Sequence, residues 1–268
     1  MRVKAVILDW AGTVLDHGSR APMAAFVEAF ARLGVAISIA DARGPMGMAK
    51  RDHIRLVGTA PDVAAAWATR HGGAFDDAAI DRVFRVFEPL NAAAAERPAH
   101  ARLIPGASAA LEWCAACGIG IGSTTGYTRP IMDRLAPLAA AQGFRPAVTV
   151  CAGDLPEGRP APLQMWWAMA TMGVWPAASV VKLDDTPPGL GEARNAGCWA
   201  IGVALTGNIA GLDEAGLAAL DPEGRAALRA CAAEALTAGG AHLVIDSIAD
   251  LPAAVAEIEA RLASGERP

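Results

Sequence analysis

Three acidic residues of this chain stand directly after short, mostly apolar runs. Asp9 follows residues 3–8, and Asp184 and Asp185 follow residues 179–183. A carboxylate followed by a glycine turn lies beside free backbone N–H groups that suit a phosphate, and it can attack phosphorus to form an acyl phosphate. A pair of carboxylates is suited to hold a hard cation such as magnesium. Taken alone, the Asp9 motif is equally compatible with an ordinary turn at a strand end.

Two further segments carry groups that bind phosphate. Residues 123–127, Ser-Thr-Thr-Gly-Tyr, follow another apolar run and supply hydroxyl donors and a glycine N–H. Arg159 follows a third run, and its guanidinium can neutralise a phosphate through paired hydrogen bonds. We therefore expect four kinds of group, each after a different short run: a nucleophile, hydroxyl donors, the guanidinium cation and metal ligands.

The short runs alternate with helical patterns along most of the chain. They lie at residues 3–8, 119–122, 148–151, 179–183, 200–203 and 243–245. Such alternation predicts an α/β fold, with a Rossmann-like parallel sheet and crossover helices. Ligands of these sheets bind outside the carboxyl ends of the strands. The chemical groups named above are therefore expected together at one edge.

One long segment interrupts the alternation. Between residues 21 and 100 the sequence shows helical spacing, as in residues 23–34, 62–73 and 80–96, and no convincing strand. We predict a helical cap domain over 21–100, inserted after the first strand, with the core formed by 1–20 and 101–268.

The ordered set of Asp9, Thr125, Arg159 and Asp185 resembles the haloacid dehalogenase superfamily over residues 3–16 and 104–262. The resemblance implies that Asp9 is both nucleophile and magnesium ligand, and that Ala11 offers its carbonyl oxygen to the metal. It also implies that Thr125 binds phosphate, Arg159 takes the basic position and Asp185 ligates magnesium.

Two positions depart from the pattern of that superfamily. Most members have a second aspartate where this chain has Ala11, and that carboxyl group protonates an oxygen leaving group. A phosphomonoesterase without this acid would release its alcohol poorly, so Ala11 disfavours that activity. The second departure is Gly189, where many members carry another acidic residue. Asp184 is the candidate ligand that would compensate for it.

The predicted insertion adds a lysine and a histidine to this set. Residues 44–53 indicate a turn leading into a helix, on which Lys50 and His53 share a face because they are three residues apart. By itself, a lysine there would usually be a solvated surface charge. The segment resembles the specificity loop of the phosphonoacetaldehyde hydrolase family, whose lysine forms a Schiff base with the substrate aldehyde. Further segments also resemble that family, at residues 9–13, 45–47, 122–129, 158–160 and 194–197.

This second resemblance implies cleavage of the C–P bond of phosphonoacetaldehyde, within the degradation of phosphonates such as 2-aminoethylphosphonate. It implies that Lys50 is the Schiff-base lysine and that Gly47 and Tyr127 belong to the substrate site. Met46 belongs to the same segment, and the sequence leaves open whether it contacts the substrate or packs inside the protein. Breaking a C–P bond leaves an electron pair on carbon, so an electron sink replaces the general acid, and an iminium at Lys50 supplies one. His53 is a candidate proton shuttle, since an unperturbed histidine pKa of about 6.5 allows transfer in both directions.

Composition and charge limit the other possibilities. The net charge of −5 contains no basic block, which argues against nucleic acid, and no apolar run approaches the ~20 residues of a membrane span. Five cysteines, an odd number, favour a reducing compartment, and we expect a cytoplasmic protein. A homodimer is expected from the family resemblance and from the apolar helical pattern at residues 23–33, which one small insertion would bury incompletely.

Two other functions remain open from the sequence. The first is a magnesium-dependent phosphomonoesterase acting on a small metabolite, which Ala11 and Lys50 disfavour. The second is a catalytically silent phosphate-sensing module, which the intact Asp9, Arg159 and Asp185 disfavour, because it would leave these groups unused.

Overall fold

A six-stranded parallel sheet forms the centre of the molecule. A computed structural model describes residues 2–268, and its strands are ordered β3-β2-β1-β4-β5-β6. The strands are β1 (Ala5–Leu8), β2 (Gly120–Thr128), β3 (Thr149–Ala152), β4 (Val180–Asp184), β5 (Trp199–Val203) and β6 (Leu243–Ile245). The predicted parallel α/β sheet is confirmed.

Helices cover both faces of this sheet. Those that follow β1 are α1 (Arg20–Arg32), α2 (Ile39–Arg43), α3 (Lys50–Thr59), α4 (Pro61–His71), α5 (Asp77–Ala95), α6 (Pro98–Ala101) and α7 (Ala107–Ala116). Those that follow β2 are α8 (Arg129–Ala141), α9 (Leu163–Met172), α10 (Pro187–Asn195), α11 (Glu214–Ala218), α12 (Pro222–Ala238) and α13 (Leu251–Ala263). No helix among residues 2–268 has the length and apolar character needed to cross a membrane.

The central strand β1 is apolar on both faces. Val6 and Leu8 pack into one hydrophobic cluster, and Ala5 and Ile7 pack into another on the opposite face. Successive side chains of a strand point to opposite faces. In a strand covered on both faces every side chain is therefore buried, and apolar residues are favoured at every position. This explains why the run before Asp9 is continuously apolar.

The register of the strands places the predicted site residues side by side at the carboxyl ends of the strands. Leu8 is paired with Ser123 of β2 on one side and with Leu183 of β4 on the other. The next residues along the three strands are Asp9, Thr124 and Asp184. The chain order reverses on either side of β1, and the edge beyond such a switch point is where ligands of open α/β sheets bind.

The second strand is longer than its sequence predicts. The apolar pattern ends at Gly122, but β2 continues to Thr128 through a segment rich in threonine, with an irregular register against β3 between Thr124 and Thr128. Threonine and tyrosine favour extended backbone, which a pattern of apolar residues does not capture.

The segment between β1 and β2 is helical, as predicted. Helices α1 to α6 fill residues 20–101, hereafter the helical insertion, and no strand lies within that range. Its buried side chains form a hydrophobic cluster of their own, with Phe26, Phe30, Ile54, Trp67 and Phe87 among its members. This separate cluster supports the domain division 1–20, 21–100 and 101–268, which stays a prediction.

One reason for expecting a dimer is wrong. Helix α1 was expected to leave apolar surface uncovered, but Met23, Ala25, Phe26, Ala29 and Phe30 are all buried within this one chain. The helix packs along α5, which supplies the cover that the sequence pattern does not reveal. The homodimer now rests on the family resemblance alone and stays a prediction.

Candidate active site

The carboxyl edge of the sheet carries a closely spaced group of carboxylates. Oxygen atoms of Asp9, Asp184 and Asp185 all lie within 4.8 Å of one another, and the three residues are buried. Burial and the charge of Asp184 raise the pKa of Asp9 to about 6. Burial and the charges of Asp9 and Asp184 raise the pKa of Asp185 well above its usual value. A cation between them would relieve this repulsion, and an all-oxygen set fits a hard divalent ion.

The three carboxylates are not equally free to bind a metal. Asp184 Oδ1 accepts hydrogen bonds from the N–H and the hydroxyl of Thr186. Its Oδ2 lies 3.4 Å from Arg159 Nη1 and 3.3 Å from Lys182 Nζ. Although burial acts to raise it, these two cations hold the pKa of Asp184 below its usual value. Asp9 and Asp185 are therefore the stronger ligand candidates, and Asp184 is the weaker one.

Arg159 is the centre of a buried network of charges. Its Nη2 lies 2.8 Å from Asp9 Oδ1 and donates to the Thr124 carbonyl at 2.7 Å, while Nε donates to Glu192 at 3.1 Å. Lys182 Nζ lies 3.5 Å from the same Glu192 oxygen and donates to the Thr124 hydroxyl. Planar guanidinium donors held on several sides are fixed in direction, as phosphate binding requires.

The sequence reasoning missed Lys182 and Glu192, and it included Thr124 only as one of the hydroxyl donors of residues 123–127. Both charged residues are fully buried, in β4 and α10 respectively. The available signal was a lysine inside the run 180–183, because a strand buried on both faces has no solvated position for an ammonium group.

A small cavity lies between this edge and the helical insertion. Its volume is about 20 Å³, enough for one or two water molecules. Its lining comprises Asp9, Ala11, Ser19, Pro22, Met46, Gly47, Lys50, Thr125, Gly126, Tyr127, Arg159, Asp185 and Thr186. Most of the predicted site residues are thus brought to one cavity, while Asp184 and His53 are not part of its lining. Ser19, for which the sequence gave no role, is part of the lining.

Lys50 enters this cavity from the first turn of α3. Its amine has no carboxylate in contact, and its nearest polar neighbour is Met46 Sδ at 3.6 Å. The rings of Phe26 and Tyr127 lie 5.6 and 5.9 Å from Nζ. Burial lowers the pKa of Lys50 to about 8, although the charge of Asp9 opposes the shift. The predicted turn and helix are confirmed, and the side chain is buried rather than solvated.

The turn before Lys50 approaches the sheet so closely that only glycine fits at its tip. Gly47 has a φ of +93°, and a Cβ there would collide with the side chain of Thr186. A left-handed backbone in contact with a neighbouring loop is the situation in which glycine is required. Gly47 therefore lets the Met46–Lys50 segment reach the carboxylate edge.

His53 shares a helical face with Lys50, as predicted, but it does not have an ordinary pKa. Its ring is fully buried and stacks on Phe26 at 3.8 Å, and Nε2 lies 2.8 Å from the Ala42 carbonyl. Burial and the charge of Lys50 lower the pKa of His53 to about 2. The reason given for a proton shuttle, a pKa near 6.5, is therefore wrong for this arrangement. Helical spacing predicts which face a residue occupies and not how deeply that face is buried.

Thr125 and Tyr127, two residues apart in β2, both line the cavity. Thr125 Oγ1 accepts the Tyr127 N–H at 3.1 Å, which fixes the hydroxyl beside Asp9 and Arg159 in the cavity lining. The Tyr127 hydroxyl is buried and has no hydrogen-bond partner among the described residues. Burial raises the pKa of Tyr127 well above its usual value, so this group stays an O–H donor. A buried donor without a partner suits a polar ligand atom.

The sheet order and the four strand ends that form the site define a class of protein. The family model for haloacid dehalogenase-like hydrolases matches residues 3–197 of this chain. A phosphonoacetaldehyde hydrolase from Paraburkholderia phytofirmans is 52% identical, with 99% of each chain covered, and one from Paraburkholderia xenovorans is 51% identical over the same shares. The chain therefore belongs to the phosphonoacetaldehyde hydrolase family of haloacid dehalogenase-like hydrolases.

A solved structure agrees with this assignment. The crystal structure of a phosphonoacetaldehyde hydrolase-like protein from Oleispira antarctica has a TM-score of 0.97 and is 38% identical. The alignment covers 100% of this chain and 96% of that one. The similarity extends through the helical insertion, so the relatives share both the sheet and the segment that carries Lys50.

Proposed function

We propose that this chain hydrolyses phosphonoacetaldehyde to acetaldehyde and phosphate, with Lys50 as the imine-forming amine and Asp9 as the nucleophile. The observation that carries the proposal is a buried lysine without a carboxylate partner, lining one cavity with a buried aspartate and a fixed guanidinium. The activity that names the relatives from Paraburkholderia supports the same substrate.

The chain contains three lysines, and the structure distinguishes them. Lys4 is exposed and its amine donates to the Trp175 carbonyl, away from the cavity. Lys182 is buried, but its amine is held by Asp184, Glu192 and Thr124. An amine must be neutral to attack a carbonyl. Of the three lysines only Lys50 lines the cavity, and burial lowers its pKa. This contrast supports Lys50 as the imine-forming amine.

The first chemical stage joins the substrate to Lys50. The neutral amine attacks the aldehyde carbon, and loss of water gives an iminium. The Tyr127 hydroxyl is the donor placed to hold the aldehyde oxygen as it accumulates charge. His53 Nδ1 is the free acceptor of a ring whose Nε2 is occupied by Ala42, so a role in proton transfer rests on Nδ1.

The second stage breaks the C–P bond. A carboxylate oxygen of Asp9 attacks phosphorus, and the C–P electron pair moves into the iminium to give an enamine. Arg159 and Thr125 hold the phosphoryl oxygens in place while this transfer occurs. Water then hydrolyses the aspartyl phosphate. Protonation of the enamine carbon and hydrolysis of the resulting imine release acetaldehyde and restore Lys50. With no oxygen leaving group to protonate, the site needs no acid at Ala11.

Magnesium is the metal that we propose for the carboxylate cluster. When bound, it would neutralise charge on the phosphoryl oxygens and on the attacking carboxylate. Asp9 and Asp185 would hold it with the Ala11 carbonyl, and Asp184 is the additional candidate ligand. The cavity lies between the sheet and the helical insertion, and we propose that the insertion moves away from the sheet to admit the substrate.

Product analysis with phosphonoacetaldehyde tests the proposal. We expect phosphate and acetaldehyde in equal amounts with magnesium present, and reversible loss of both when the metal is chelated. Turnover of a generic phosphate ester with no cleavage of phosphonoacetaldehyde would contradict it and favour the phosphomonoesterase.

A further inference from the structure

A cation of the helical insertion reaches across to a loop on the sheet side of the molecule. Arg43, at the end of α2, donates from Nη1 to the backbone carbonyl of Asn208, and the same nitrogen lies 3.3 Å from Asn208 Oδ1 and 3.4 Å from the Gly18 carbonyl. In return, Asn208 Nδ2 donates to the Arg43 carbonyl at 3.3 Å. Arg43 and Asn208 are therefore joined in both directions.

The same loop also orients a metal-ligand candidate. The backbone N–H of Asn208 donates to Asp185 Oδ2 at 2.6 Å, and the Thr13 hydroxyl lies 3.4 Å from Oδ1. Gly211, further along this loop, has a φ of +65°, and a Cβ there would collide with the Arg43 guanidinium. The loop that contains Asn208 and Gly211 therefore contacts Arg43 on one side and Asp185 on the other.

Arg43 also stands at the start of the segment that carries Lys50. Its carbonyl accepts the Met46 N–H at 3.2 Å, and the preceding carbonyl, of Ala42, is the partner of His53. Fixing Arg43 on the sheet side therefore fixes both ends of the turn that places the amine in the cavity.

We propose that Arg43 and Asn208 act as a latch, positioning Lys50 and Asp185 together when the insertion closes. The role of the latch in catalysis rests on the proposed function. Opening the Arg43 contacts would free the Lys50 segment and, through Asn208, loosen the carboxylate of Asp185. Groups that orient a metal ligand typically change affinity or activity by about 10–100-fold when removed.

Arg20 provides a matched control. It also joins the insertion to the sheet side, through an ion pair with Asp213, but both side chains are nearly half exposed and neither lines the cavity. Exposed ion pairs of this kind contribute little. Arg20→Met removes the same charge and a similar side chain but none of the hydrogen bonds between Arg43 and Asn208.

The test compares Arg43→Met with Arg20→Met by two measurements that need no substrate. Calorimetry gives the affinity for Mg²⁺, and acetylation of the folded, metal-free protein followed by peptide mass spectrometry gives the rate at which Lys50 is labelled. For Arg43→Met we expect affinity for Mg²⁺ to fall about 10-fold or more, and labelling of Lys50 to accelerate severalfold. For Arg20→Met we expect both values within about twofold of wild type.

Arg43→Met that stays within twofold of wild type in the labelling of Lys50 would overturn the latch, as would equal effects of the two variants. If Arg43→Met fails to fold, Arg43→Gln is measured instead, because its side chain is two atoms shorter and uncharged, and wild-type labelling of that variant has the same meaning. Failure of the wild type to cleave phosphonoacetaldehyde would contradict the proposed function and leave these two measurements unaffected.

Discussion

The two sides of the cavity hold their charges in opposite ways. On the sheet side both cations have partners of opposite sign: Arg159 contacts Asp9 and Glu192, and Lys182 contacts Asp184 and Glu192. On the insertion side a single amine, Lys50, is enclosed by a thioether and two aromatic rings.

This difference corresponds to two chemical tasks. Transfer of a phosphoryl group requires charges that are already in place when charge develops, and paired buried groups provide them. Formation of an imine requires an amine that is able to lose its proton, and burial without a partner favours the neutral form. The sheet side therefore suits chemistry at phosphorus, and the insertion adds chemistry at carbon.

Asp9→Asn should have the largest effect, because it disables the sheet side and leaves the insertion side intact. The amide is nearly the same size as the carboxylate but a far poorer nucleophile. We expect phosphate release to fall by about 10⁴-fold or more, as for the loss of other catalytic nucleophiles. Imine formation at Lys50, measured by borohydride trapping, should persist. Phosphate release at the wild-type rate would refute the assignment of Asp9.

Replacing one or the other of the two buried lysines, Lys182 and Lys50, by methionine should change the free energy of unfolding in different ways. Lys182→Met removes one of the two cations that contact Asp184 and Glu192, leaving Arg159 alone to balance both carboxylates. Breaking a buried pair typically lowers the free energy of unfolding by about 3–5 kcal/mol, and we expect a loss of up to this size. Lys50→Met replaces a desolvated amine by an apolar side chain, so that free energy should be unchanged or higher. Urea denaturation measures both, and equal losses would show that the two lysines do not differ in this way.

The pH dependence of imine formation should show the lowered pKa of Lys50. With a pKa of about 8, roughly a tenth of the amine is neutral at pH 7, and nearly all of it is neutral at pH 9. The trapping rate at low substrate concentration should rise about tenfold over this range and then level off. An ordinary lysine with a pKa of about 10.4 would give a rise of roughly a hundredfold with no plateau.

Sequence predicted most of the residues of the sheet side because their positions follow from one rule. Asp9, Arg159 and Asp185 each come after a strand, and parallel strands end at one edge, so their proximity needs no further information. The assignment of Lys50 required a family resemblance, since a lysine on a helix is usually solvated.

The features that the sequence did not predict depend on how deeply a side chain is buried and on contacts between residues far apart in the chain. His53 was placed on the correct face, but its burial against Phe26 comes from the packing of α1. Lys182 and Glu192 were missed because their charges are satisfied inside the fold: Lys182 contacts Asp184 and Glu192, and Glu192 also contacts Arg159. The contact of Arg43 with Asn208 joins residues 165 positions apart, which no local pattern reports.

The most direct test of the central claim is to trap the imine and locate it. The protein is treated with phosphonoacetaldehyde and borohydride, and the reduced adduct is mapped by peptide mass spectrometry, where the presence of only three lysines makes the assignment unambiguous. We expect irreversible inactivation with the adduct on Lys50, and neither adduct nor C–P cleavage in Lys50→Arg, because a guanidinium cannot serve as the amine. An adduct on Lys4 or Lys182, or normal turnover by Lys50→Arg, would contradict the proposed mechanism.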